Sequence, residues 1–214
     1  MRVLVACEES QTVCKAFRER GHEAYSCDIQ DCSGGHPEWH IKADALELIK
    51  MKWDLVIAHP PCTYLTTCGS PLVFNKDGTI KDRERYEKGL EAADFFMKFI
   101  NADQEKIAVE NPFPVGKLFV KYGGAPPKSQ IIEPFMFGDP WRKRTVLWLK
   151  GLPPLIMKEA PVIPLGCLVE QTSKVRDPSF RERYPIRGYI GSRFGKERSK
   201  TFPGIARAMA EQWG

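Results

Sequence analysis

The sequence predicts an α/β fold: a mostly parallel sheet with helices on both faces. Three observations lead there. Short apolar runs recur through the first 150 residues. Stretches with helical spacing separate them. The runs at Arg2–Cys7 and Trp53–Ala58 are continuous rather than alternating, as in strands covered on both sides.

Arg2–Cys7 is the first strand. Charge follows too soon, at Glu8-Glu9, for a signal peptide. Thr12–Arg20 places Val13, Ala16 and Phe17 at helical spacing, and Gly21 supplies a stop. His22–Ile29 is a second strand, Asp44–Lys50 a short helix, and Trp53–Ala58 the clearest buried strand. Asp82–Asn101 is a long amphipathic helix with Leu90, Ala93, Phe96, Met97 and Ile100 on one face. Lys106–Val109, Ile131–Phe135 and Thr145–Leu149 are three more strands. Strands alternating with helices imply crossover connections and parallel pairing. After Leu149 the chain turns Pro-rich, then basic, and Gly204–Trp213 closes it as a helix. The expected organisation is a core over residues 1–150, a basic segment over 151–202, and a terminal helix over 203–214 that packs back on the core.

The chain has 214 residues, of which 43% are apolar and 28% charged, so a globular protein with a real core is expected. No apolar run approaches the roughly 20 residues that span a bilayer. Seven cysteines without a secretion signal point to reduced thiols in a cytoplasmic protein. Charge is unevenly spread. Residues 1–139 carry 17 Lys/Arg against 21 Asp/Glu, and residues 140–214 carry 15 against 6. A polyanion such as nucleic acid suits the basic end.

Ligands of open α/β sheets bind at the carboxyl ends of the strands. Unusual residues stand at four such ends. The loop Ala6-Cys7-Glu8-Glu9-Ser10-Gln11 is polar and offers backbone N–H groups at a helix start to a nucleotide-like cofactor. It lacks the glycines of a dinucleotide fingerprint. Asp28 ends the second strand, where a carboxylate accepts from ribose hydroxyls. His59-Pro60-Pro61-Cys62 follows the Trp53–Ala58 strand; two prolines stiffen the path to a cysteine placed as a nucleophile. Glu110-Asn111-Pro112 follows the next strand, and a carboxyl there is expected to have a raised pKa and to hold a proton near neutrality. Arg142-Lys143-Arg144 leads into a strand and can grip a carbonyl or phosphate. Cys27, Cys32, His36 and His40 are only loosely zinc-like in spacing, and no metal is expected.

The order of these pieces resembles the DNA cytosine-5 methyltransferases: an acidic residue after strand two, Pro61-Cys62 after strand four, Glu110-Asn111 after strand five, then Arg142-Lys143-Arg144. The closing helix FPGIARAMAEQ is similar to that family's last helix. The resemblance covers most of residues 1–150 and roughly 201–213. It implies a Rossmann-like class I fold and S-adenosylmethionine, or a modified analogue, as cofactor. Cofactor contacts would fall to Ala6, Cys7, Glu8, Ser10, Asp28, Ile29, Asp44, His59 and Pro60. Cys62 would be the nucleophile, Glu110 the group at N3 of the base, and Arg144 the group at O2, with Arg142, Asn111 and Pro61 beside them.

The sequence also departs from the family. The first loop has no glycine, Thr63 follows Cys62 where glutamine is usual, and Pro112 stands where valine is frequent. Only about fifty residues separate Leu149 from Thr201, where the family carries a target-recognition domain. Arg181, Arg183, Arg187, Tyr189, Arg193, Lys196, Arg198 and Lys200 crowd that segment and are expected to contact DNA, with short or relaxed sequence preference. Residues 63–81 are expected to close over a flipped base as a mobile loop. The competing readings are an RNA cytosine-5 methyltransferase and a catalytically silent nucleic-acid-binding protein on the same fold.

Overall fold

The computed structural model describes residues 1–139, 141–157, 187–189 and 200–214, the three residues 187–189 by their backbone alone. Seven strands form one sheet: β1 (Arg2–Ala6), β2 (Glu23–Asp28), β3 (His40–Lys42), β4 (Leu55–Ala58), β5 (Ile107–Asn111), β6 (Gln130–Ile132) and β8 (Thr145–Lys150). Their order is β3-β2-β1-β4-β5-β8-β6. Strands β1 to β5 pair in parallel, and β8 runs antiparallel between β5 and β6. A parallel sheet that reverses at β1 and inserts one antiparallel strand near its edge is the Rossmann-like fold of class I methyltransferases, as expected. Two short strands, β7 (Trp141–Arg142) and β9 (Arg187–Tyr189), pair separately.

The two-residue period of each strand sorts its side chains between two cores. Leu4 and Ala6 of β1, Val56 and Ala58 of β4, and Ile107 and Val109 of β5 face one side. There they meet Ala93, Phe96 and Phe99 of α4 (Arg83–Ile100). Val3, Val5, Leu55, Ile57 and Ala108 face the other side. They meet Phe17 of α1 (Thr12–Glu19) and Ile205, Met209 and Trp213 of α5 (Pro203–Trp213). Continuous apolar runs are needed because both faces are covered. The described residues also include two short helices, α2 (Ala45–Leu48) and α3 (Ser70–Val73).

Several boundaries differ from those expected. β5 runs on through Glu110 and Asn111, which pair with Leu147 and Val146 of β8. The strand expected at Ile131–Phe135 stops at Ile132, and Pro134 opens a 3-10 turn over Pro134–Phe137. Proline has no N–H for the ladder and its fixed φ suits a helical first position. Residues 63–81 are not an open loop. Leu65, Val73 and Phe74 are buried, and Phe74 bridges to Ile80. Such anchoring argues against a mobile lid.

Candidate active site

The loop after β1 takes a sharp path: Cys7 and Gln11 have left-handed φ values of 59° and 57°. For non-glycine residues this costs on the order of 1 kcal/mol each, so something must hold them. Glu8 is one anchor. Its N–H is bound to Cys27 O at 3.0 Å. Its buried carboxylate accepts from Val13 N–H at 2.7 Å and Cys14 N–H at 3.2 Å in the first turn of α1. Gln11 is the other. It donates to His36 O at 2.7 Å and Ser26 Oγ at 3.3 Å and accepts from His36 N–H at 3.1 Å, tying the β2–β3 connection to the loop. Gly34 passes so close that a Cβ there would lie 2.6 Å from Ser10 O.

This arrangement corrects one expectation. Two of the amide groups at the start of α1, those of Val13 and Cys14, are not available to a cofactor, because Glu8 occupies them. Burial holds the Glu8 carboxyl above its ordinary range, with the charge of His59 the largest opposing influence. Around Cys7, burial first and then the negative charges of Asp28, Cys27 and Asp44 push the thiol up. Asp28 ends β2 and accepts from Gln30 N–H at 2.9 Å; Ile29 beside it is 75% exposed. Asp44 caps α2 through Leu46 N–H at 2.9 Å. Ser10 Oγ lies 3.2 Å from Thr12 Oγ1, and Ala6 is fully buried within the sheet.

At the carboxyl ends of β4 and β5 two loops are fastened together. His59 N–H continues the sheet to Ala6 O at 2.9 Å. Pro60 is buried, Pro61 exposed and Cys62 half-buried. Asn111 Nδ2 donates to Pro60 O at 2.6 Å, and Asn111 is itself buried. Farther along, Val115 N–H bonds to Leu65 O at 2.8 Å and Thr67 N–H to Phe113 O at 2.9 Å. The chain after Cys62 and the chain after Asn111 are thus zipped side by side.

Glu110 meets His59 across this junction, with Oε2 3.1 Å from Nδ1. Burial pushes the Glu110 carboxyl up. The His59 hydrogen bond, the Lys143 charge and a Thr145 hydrogen bond outweigh it, so the carboxyl lies below its ordinary range. The expected raised carboxyl is therefore overturned. Burial was read correctly, but the partners that reward the charged form were out of view.

The arginines divide. Arg142 makes a two-pronged pair with Glu133, Nε to Oε2 at 3.0 Å and Nη2 to Oε1 at 3.1 Å, with both side chains nearly buried. Arg144 is 58% exposed, lies 3.8 Å from Glu133 and sits above the Phe113 ring. Lys143 Nζ donates to Lys200 O at 3.4 Å, and Thr201 Oγ1 comes within 3.5 Å of His59 Nδ1. The chain entering α5 therefore crosses the candidate site. Gly204 N–H then bonds to Asp139 Oδ2 at 2.7 Å.

Arg181, Arg183, Arg193, Lys196 and Arg198 lie outside the described residues. Arg187 and Tyr189 are the ends of β9, beside β7. The loosely zinc-like residues have separate partners: Cys27 donates to Ala43 O, His36 stacks on Trp39, and His40 bonds to Ser26 Oγ and Gln30 O. Sequence reasoning missed Gln11 as a clamp, Glu133 and Thr201. Glu133 left one signal, a single charge inside the apolar stretch Ile131 to Phe135.

No family model matches the chain, and no curated protein matches it. Solved structures do match. One is an Escherichia coli prophage protein described as a candidate DNA modification methyltransferase, at 14% identity and a TM-score of 0.44. The match covers 74% of this chain and 51% of that one, so this chain spans about half the length of that structure.

Proposed function

We propose that the chain transfers a methyl group, or a closely related group, from S-adenosylmethionine to carbon 5 of a cytosine flipped out of DNA. One observation carries this reading. A half-buried thiol, Cys62, and a mostly buried carboxylate, Glu110, stand at the carboxyl ends of adjacent parallel strands, and Asn111 binds one loop to the other at 2.6 Å. A protein that only binds nucleic acid needs neither group there.

The chemistry calls for both. Carbon 5 of cytosine is a poor nucleophile. The Cys62 thiolate adds to carbon 6, and the electron pair of the C5–C6 double bond becomes available at carbon 5. A proton at N3 makes the ring accept this addition, and Glu110 delivers it. Arg144, exposed beside Phe113, holds O2 of the ring. Carbon 5 takes up the group as its bond to the donor sulfur breaks and leaves a neutral thioether; water then accepts the carbon-5 proton, and the electron pair left behind expels Cys62. The ring regains its aromaticity and the thiolate is restored.

The first loop suits a cationic donor. Asp28 and Asp44 make the carboxyl ends of β1 and β2 negative, and Glu8 has taken two of the helix amides that a pyrophosphate would use. S-adenosylmethionine, when bound, supplies an electrophilic methyl group on a positive sulfur. Asp28 would accept from its ribose hydroxyls, and exposed Ile29 offers an apolar surface to its adenine. DNA is the partner that the net positive charge of residues 140–214 favours.

Nucleoside mass spectrometry tests the reading. DNA incubated with the protein and S-adenosylmethionine should gain 5-methylcytosine, and Cys62→Ala should abolish it. Methyladenine, or methylcytosine formed equally by the variant, refutes it.

A further inference from the structure

His59 has no part in the reaction as written, yet it is the residue bound to Glu110. Nδ1 lies 3.1 Å from Glu110 Oε2, and the two side chains are 10% and 13% exposed. Its backbone is fixed by the bond to Ala6 O and by Pro60. Nε2 is buried and has no hydrogen-bond partner among the described residues. The surrounding groups come from five elements. Glu8 acts on the ring from the β1–α1 loop. Glu110 faces it from β5, Lys143 faces Glu110 from the turn before β8, and Thr145 reaches Glu110 from β8. Thr201 Oγ1 approaches Nδ1 from the chain entering α5.

We propose that His59 is a positioning residue that fixes the Glu110 carboxylate and stores the proton which Glu110 passes to cytosine N3. This rests on the reading of Cys62 and Glu110 given above. An ionised Glu110 alone has no proton to give. An imidazole carrying a proton on each nitrogen, held 3.1 Å from the carboxylate, would have one to pass on. As Cys62 adds to carbon 6, N3 takes the proton from Glu110, Glu110 takes one from His59 Nδ1, and the imidazole is left neutral. When Cys62 departs, N3 gives its proton back along the same path. The N3 proton is thus borrowed and returned, and only the carbon-5 proton leaves the site, to water.

Two variants separate positioning from storage. His59→Asn keeps a donor near the Nδ1 position but cannot carry a proton, and His59→Ala keeps neither. Two measurements are made. The first needs no substrate: the carboxyl 13C resonance of Glu110, assigned by its loss in Glu110→Gln, is followed against pH in the free protein. It should titrate at higher pH in His59→Asn than in wild type. The second is the rate of cytosine modification between about pH 5.5 and about pH 9. His59→Asn should lower kcat on the order of 10²-fold near neutrality, leave KM for DNA unchanged and move the alkaline limb down by about a unit. His59→Ala should raise KM as well. In a Glu110→Gln background, His59→Asn should cost nothing further. Thermal melts establish that each variant is folded. An unmoved Glu110 resonance, or a wild-type pH profile in His59→Asn, overturns the proposal. If wild type modifies no cytosine although the Glu110 resonance shifts as expected, the reading of Cys62 has failed, and storage for N3 falls with it while the coupled pair stands.

Discussion

Replacing Glu8 tests how the first loop is held. Its carboxylate receives two backbone N–H bonds, at 2.7 and 3.2 Å, at the positive end of α1. Hydrogen bonds to a charged group contribute roughly 1.5–3 kcal/mol each, and leaving a buried amide unpaired costs roughly 1–3 kcal/mol. Against this stands the cost of burying the carboxylate, which is what raises its pKa. Glu8→Ala strands both amides, and a net loss of about 3 kcal/mol follows. Glu8→Gln keeps one acceptor oxygen and turns an NH2 toward the second amide, for about half that loss. At about 2–4 °C per kcal/mol in a chain of this size, Tm should fall by about 6–12 °C for Ala and about 3–6 °C for Gln. Circular dichroism melts and urea titrations measure both. The pH dependence has a definite sign. With the folded carboxyl held above its ordinary value of 4.5, its contribution is fullest below that value. It declines as pH rises through the folded pKa. The advantage of wild type over Glu8→Gln should therefore widen on acidification from neutrality toward 4.5. A Glu8→Ala variant within about 0.5 kcal/mol of wild type would refute the reasoning.

Three other substitutions have expected outcomes. Gly204→Ala puts a Cβ 2.2 Å from Phe137 O and 2.5 Å from Asp139 Oδ2 at the start of α5, so a loss of about 1–3 kcal/mol in urea titrations is expected. Arg142→Ala removes the two-pronged partner of the buried Glu133 carboxylate, leaves it only the more exposed Arg144 at 3.8 Å, and should cost about 3 kcal/mol; adding Glu133→Gln should restore part of it, as a double-mutant cycle would show. Arg144→Ala, at a mostly exposed side chain, should leave Tm within about 2 °C while cytosine modification falls at least tenfold, on the order expected for one lost polarising contact.

Much of the fold was legible because burial on both faces demands unbroken apolar runs. Val3 to Ala6 and Leu55 to Ala58 could hardly be anything else. β3 was not legible: three residues, His40-Ile41-Lys42, carry no pattern, and the strand exists because Gln11 and β2 hold it in place. The end of β5 was missed for the opposite reason. Glu110 and Asn111 look like loop residues, yet β8 pairs with both. Within the site, Cys62 and Glu110 stood out because polar residues at strand ends are conspicuous against apolar runs. Their electrostatics did not. Glu110 was read from its burial alone, whereas its charge state follows from His59, 51 positions away, and from Lys143 and Thr145. Arg142 read as a substrate-gripping group until Glu133 emerged as its partner. Pairings of this kind depend on tertiary contact and leave no local trace.

The covalent step is the centre of the account, and trapping it is the most direct test. DNA carrying 5-fluorocytosine has no proton at carbon 5 to lose, so after transfer Cys62 cannot be expelled and the adduct persists. Wild-type protein with S-adenosylmethionine and such a duplex should give a protein–DNA band that survives denaturation, with the DNA mapped by peptide mass spectrometry to Cys62. Cys62→Ala should give none. Methylation of ordinary cytosine by wild type without any trapped adduct, or an adduct at another residue, would contradict the account.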